Sequence, residues 1–74
     1  MDTAVIEINR EPVELYKILK FEGLVASGGE AKSVIAAGMV EVNGETETRK
    51  RRKIVAGDVI ALGDQAFRIE MSAS

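Results

Sequence analysis

The sequence predicts an α+β fold, with two packed helices followed by a small, mainly antiparallel sheet. Three observations predict it. Apolar residues recur with helical spacing at Leu15, Ile18 and Leu19, and again at Ala31, Val34 and Ile35. Asn43-Gly44 separates two alternating segments, the pattern of a tight hairpin. Beyond residue 53, short apolar runs are divided by Gly57-Asp58 and Gly63-Asp64, as expected of strands joined by turns.

The elements follow in order. Val5-Ile6-Glu7-Ile8 is short and β-branched, which suits a first strand. Pro12 stands where a helix can begin, because its fixed φ suits the first helical position. Helix one is expected over residues 12–22. Gly23 supplies its stop, and Leu24 can fold back onto it. Ser27-Gly28-Gly29-Glu30 has the form of a capping box. In such a box the Ser27 hydroxyl accepts from the third backbone N–H, and Glu30 reaches back to the Ser27 N–H. Helix two is expected over residues 28–37, with Gly38 as its stop.

The hairpin pairs Val40-Glu41-Val42 with Glu45-Thr46-Glu47-Thr48. Both Asn43 and Gly44 tolerate the positive φ that a two-residue turn needs. Arg49-Lys50-Arg51-Arg52-Lys53 comes next. Five adjacent cations in a strand would point to both faces, so neither face could be buried cheaply. An exposed loop or edge is expected. Val59-Ile60-Ala61-Leu62 reads as a buried strand, and residues 66–71 alternate. The tail, residues 72–74, is expected to fray.

A chain of 74 residues is expected to form one domain, over residues 1–74. A domain of that size buries only about 60% of the surface its unfolded chain exposes, so its stability should be modest. Cysteine and histidine are both absent, which excludes disulfides and thiolate or imidazole metal sites. No apolar run approaches the roughly 18 residues of a membrane span. The first residues lack the basic and apolar regions of a signal peptide. The expectation is a cytoplasmic protein that does not enter membranes. Nothing suggests an extensive apolar interface, so a monomer is expected.

The net charge of −2 argues against a polyanionic ligand, but its distribution argues for one. Residues 32–53 carry six basic against three acidic groups, net +3, between two negative flanks. A local patch of this kind steers polyanions. A solvated loop, or a charged edge that blocks strand pairing, is the plainer explanation. The arginine content favours phosphate, which guanidinium groups bind in bidentate fashion. Arg49, Lys50, Arg51, Arg52 and Lys53 are therefore the principal candidates. Lys32 joins them if helix two lies beside the loop. Ser27, Gly28 and Gly29 form a weaker candidate, since a helix N-terminus favours anions. Lys17 and Lys20 are also weaker, because Glu14 and Glu22 offset them. Asn43 shapes the hairpin and can add a polar contact.

The aromatic residues Tyr16, Phe21 and Phe67 are expected in the core. Without a stacking platform, single-stranded base reading is disfavoured, and contacts should go to the backbone and shape of folded RNA. No catalytic constellation, P-loop or dinucleotide motif is present, so neither enzyme activity nor a cofactor is expected.

Ser27-Gly28-Gly29-Glu30-Ala31-Lys32, Val34-Ile35, Gly38, Val40-Glu41-Val42-Asn43-Gly44 and Val55-Ala56-Gly57-Asp58 together resemble the RNA-binding domain named after ribosomal small-subunit protein four, the S-four domain or αL motif. The resemblance covers about residues 12–62. Thr48-Arg49-Lys50-Arg51 and Lys53-Ile54-Val55-Ala56-Gly57 look especially like the small stand-alone bacterial members called YbcJ-like. The resemblance implies an α+β fold whose two helices and hairpin form an RNA-binding surface. It implies structured ligands such as ribosomal RNA or transfer RNA, and a setting near the ribosome or an RNA-processing protein. Two positions depart from the family. Gly28 and Glu14 stand where Arg is common, and the run at 49–53 would supply the missing charge. The rival reading is a protein-interaction adaptor whose basic loop binds an acidic partner.

Overall fold

The computed structural model describes residues 3–72. The order is β1 (Thr3–Ile8), β2 (Val13–Glu14), α1 (Leu15–Phe21), α2 (Gly28–Ala36), β3 (Val40–Val42), β4 (Glu45–Thr46), β5 (Lys53–Ile54), β6 (Val59–Leu62) and β7 (Gln65–Met71). Five strands form one sheet in the order β1-β7-β6-β3-β4, and β2 pairs with β5 in a separate ribbon.

The fold is α+β, but the sheet is mixed. β7, β6, β3 and β4 pair antiparallel, as the turn residues require. β1 lies parallel to β7, with Ile6 opposite Ile69. The antiparallel majority and the strand over residues 5–8 are as expected. The correction is that this strand, β1, joins the far end of the chain in parallel, and that a second short strand, β2, also precedes the helices. No local turn connects β1 to β7, so their pairing leaves no mark in nearby sequence.

Register explains the core. Ile6 lies opposite Ile69, Ile60 opposite Phe67, and Val42 opposite Ile60, which puts one apolar face on the sheet. Leu15, Ile18 and Leu19 of α1 and Ala31 and Ile35 of α2 complete the same buried cluster. Both helices end in the double hydrogen bond of a glycine-terminated helix. Gly23 N–H donates to Lys20 O and Leu24 N–H to Leu19 O. At the second helix, Gly38 N–H donates to Ile35 O and Met39 N–H to Val34 O. Gly23 and Gly38 have φ of 72° and 79°, which explains glycine at both stops.

Three further expectations change. α1 begins at Leu15 instead of residue 12, because Val13 and Glu14 are extended and pair with Ile54 and Lys53. β4 is only two residues long, since the chain turns inward at Glu47, which is 6% exposed. Phe21 is 71% exposed and does not join the core, whereas Phe67 is buried and Tyr16 half-buried. The hairpin turn is as expected, with Asn43 at φ 55° and Gly44 at φ 85°. Of the tail, residues 73 and 74 lie outside the described residues.

Candidate nucleic-acid interface

The basic run is a clamped turn. Arg52 N–H donates to Arg49 O at 3.2 Å, closing it. Two of its carbonyls then accept from the start of α1: Lys50 O from Tyr16 N–H at 3.1 Å, and Arg52 O from Leu15 N–H at 2.9 Å. A helix leaves its first N–H groups without internal partners. No side chain caps α1, so the basic turn caps it. The β2–β5 ribbon continues this attachment, and buried Ile54 anchors it below.

Glu47 holds the turn from the other side. Its Oε2 accepts from the Arg49 backbone N–H at 2.9 Å and from Arg49 Nε at 3.0 Å. Its Oε1 accepts from Arg49 Nη2 at 3.1 Å and Arg52 Nη1 at 2.8 Å. The Arg49 guanidinium hydrogen bonds lead in lowering the Glu47 pKa from 4.5 to about 2, with the Arg49 backbone and Arg52 adding to them against the cost of burial. The same pair raises the pKa of Arg49.

Thus the five cations are not equivalent. Lys50, Arg51 and Lys53 are exposed. The Arg49 side chain is 73% exposed while tied to Glu47, and that of Arg52 is 32% exposed. Residues Thr48 to Lys53 line a shallow depression together with Ala36 of α2. The second helix therefore lies beside the loop, as Lys32 requires. Lys32 Nζ sits 5.0 Å from the centre of the Tyr16 ring. Tyr16 thereby connects Lys32 to Lys50, one through its ring and the other through its backbone.

Asn43 and the weaker candidates Lys17, Lys20 and Ser27 have partners within the protein. Lys17 Nζ lies 3.4 Å from Glu14, and Lys20 Nζ lies 5.9 Å from the Phe21 ring centre. Asn43 Nδ2 donates to Asp58 at 3.0 Å, and its Oδ1 accepts from Val59 N–H at 2.9 Å. This staple joins the hairpin tip to the Gly57-Asp58 turn. Ser27 Oγ accepts from Glu30 N–H at 3.1 Å, as a capping box requires. The return bond differs from expectation: Glu30 Oε1 accepts from Ala26 N–H, not Ser27 N–H. Glu30 also adds negative charge beside Gly28 and Gly29, which opposes an anion there. Among the described residues, no cluster of acidic groups could hold a metal ion.

Glu47 is the residue that sequence reasoning missed. Register offered a signal. Counting outward from Asn43-Gly44 sets Glu47 opposite Val40, and Glu47 N–H indeed donates to Val40 O. Val40 is fully buried, so its partner is carried inward.

The model of the family described as S4 domain matches residues 6–70. The chain belongs to the S4 domain family. It is 43% identical to YbcJ of Escherichia coli (strain K12) over 67 residues, covering 89% of this chain and 96% of that protein. It is 37% identical to RlbA of Bacillus subtilis (strain 168), named as a probable ribosome maturation protein, covering 86% of this chain and 92% of the other. The solution structure of Escherichia coli YbcJ, described as revealing an αL motif involved in RNA-binding, superposes with a TM-score of 0.70 at 39% identity, covering 95% of this chain and 90% of that one. The S4 family identity thus agrees with the resemblance read from the motifs at Ser27, Asn43-Gly44 and Gly57-Asp58.

Proposed function

We propose that this S4 domain is a non-enzymatic RNA-binding module for structured RNA of the ribosomal or transfer type, acting in the cytoplasm as a monomer. One observation carries the reading: the basic turn is clamped to the start of α1, so Lys50, Arg51 and Lys53 stand exposed in an array whose backbone is fixed, beside the helix that carries Lys32. Disordered cations bind any polyanion. A fixed array favours one spacing of phosphates, and thus one shape of RNA. Arg49 and Arg52 add guanidinium donors already oriented by Glu47. The ribosome-related name of RlbA and the RNA-binding description of the YbcJ structure support the same reading. No helix among the described residues is long and apolar enough to cross a membrane.

Fluorescence anisotropy of a labelled ribosomal RNA hairpin, at several salt concentrations, tests the proposal beside a single strand of equal length. Each phosphate neutralised steepens the log–log salt dependence by roughly 0.7–0.9. A slope of several units with preference for the hairpin is expected. Absence of binding at low salt, with capture of an acidic protein instead, would assign the basic turn to an adaptor.

A further inference from the structure

By charge alone, a carboxylate inside a cationic patch opposes an RNA ligand. The placement of Glu47 reverses that expectation. Its two oxygens accept four hydrogen bonds, three from Arg49 and one from Arg52. Its backbone N–H is fixed to Val40 O of the central sheet. Arg49 is thereby held through both its backbone and its guanidinium, yet its side chain remains 73% exposed. Its Nη1 group takes no part in the Glu47 bonds. A guanidinium oriented in advance loses less freedom when it meets a phosphate.

We propose that Glu47 is a positioning residue of the RNA-binding surface, raising affinity for folded RNA by fixing Arg49 and Arg52 although it is itself an anion. This role rests on the RNA-binding reading above. It predicts that neutralising the anion weakens recognition of a folded RNA while general attraction for phosphate persists. Gln at this position fits the space, but it has one accepting oxygen and an NH2 group that faces the guanidinium groups.

The test compares wild type and Glu47→Gln on a folded RNA hairpin and on inorganic polyphosphate, with circular dichroism confirming that both proteins are folded. The expected result is hairpin affinity about three- to tenfold lower, with polyphosphate affinity equal or higher. Hairpin binding by Glu47→Gln that equals or exceeds wild type overturns the role. Equal weakening on both ligands also overturns it, because a damaged fold would do that. Should Glu47→Gln not fold, Glu47→Asp serves. It keeps the negative charge but is one methylene shorter, so it does not reach both guanidinium groups as Glu47 does, and it should show the same split between hairpin and polyphosphate. Hairpin binding by Glu47→Asp equal to wild type would again overturn the role. Failure of wild type to bind the hairpin removes the RNA-binding reading and this role together, whereas wild-type binding with an unaffected variant removes this role alone.

Discussion

The backbone N–H of Tyr16 donates to the carbonyl of Lys50, joining the first turn of α1 to the middle of the basic loop. Helix capping and ligand presentation are thus one structural feature. The helix gains acceptors for N–H groups that would otherwise need water, and the loop gains a fixed backbone. The bond from Leu15 N–H to Arg52 O repeats the arrangement one residue earlier.

Because the loop caps the helix, loosening its anchor should damage both. Ile54 is fully buried directly after the cations. Ile54→Ala should cost about 2–5 kcal/mol, the range for truncating a buried aliphatic side chain. Chemical denaturation should show the loss. An unchanged midpoint would mean that the β2–β5 ribbon contributes little to the fold.

Neighbouring arginines should respond differently. Arg51 is exposed and makes no ion pair with Glu47, whereas Arg52 donates to Glu47 at 2.8 Å. Arg51→Ala should lower RNA affinity and flatten its salt dependence by about one phosphate, with stability unchanged within ~0.5 kcal/mol. Arg52→Ala should lower stability as well, by roughly 1 kcal/mol, since a buried carboxylate loses a charged partner. Thermal melts of the two variants side by side decide the point; identical melting temperatures would contradict it.

Acid should weaken the fold through Glu47. Its pKa is depressed from 4.5 to about 2 in the folded chain. The folded state therefore binds the proton less readily than the unfolded state. The stabilisation is fully present above pH 4.5 and is lost as pH falls toward 2. Urea midpoints measured across that window should decline in wild type. In Glu47→Gln the decline should be shallower, because the titrating group is gone. Parallel profiles would place the acid sensitivity in other carboxylates.

The hairpin turn makes a separate prediction. Gly44 has φ of 85°, and the space beside it is open. A Cβ at this position meets no neighbour, but Gly44→Val must hold a β-branched residue at positive φ, at a cost of about 1 kcal/mol or more. Gly44→Asn should lose less, because Asn tolerates that region. Equal melting temperatures for both variants would show that the turn changes its conformation.

Local chemistry made much of this fold legible. The glycine stops at 23 and 38, the Ser27 cap and the Asn43-Gly44 turn each depend on residues within a few positions of one another. Their bonds and φ values match the reading, except that Glu30 accepts from Ala26 N–H and not from Ser27 N–H. The start of the first helix is not legible locally, because its cap comes from residues 50 and 52, more than thirty positions away. The exposure of Phe21 is not legible from its hydrophobicity, because that does not say which side of a short helix the residue occupies.

What the sequence by itself determined is the set of short-range structures, the positive segment between negative flanks, and the family motif. Periodicity, turn chemistry and charge density are properties of neighbouring residues. Only the tertiary structure decided that β1 runs parallel to β7, that α2 flanks the basic turn, and which cations stay free of internal partners. Those outcomes depend on groups brought together from distant parts of the chain. Glu47 shows the reason most directly: as one acid among twelve in the sequence it is unremarkable, but opposite Val40 it is carried inward to meet Arg49 and Arg52.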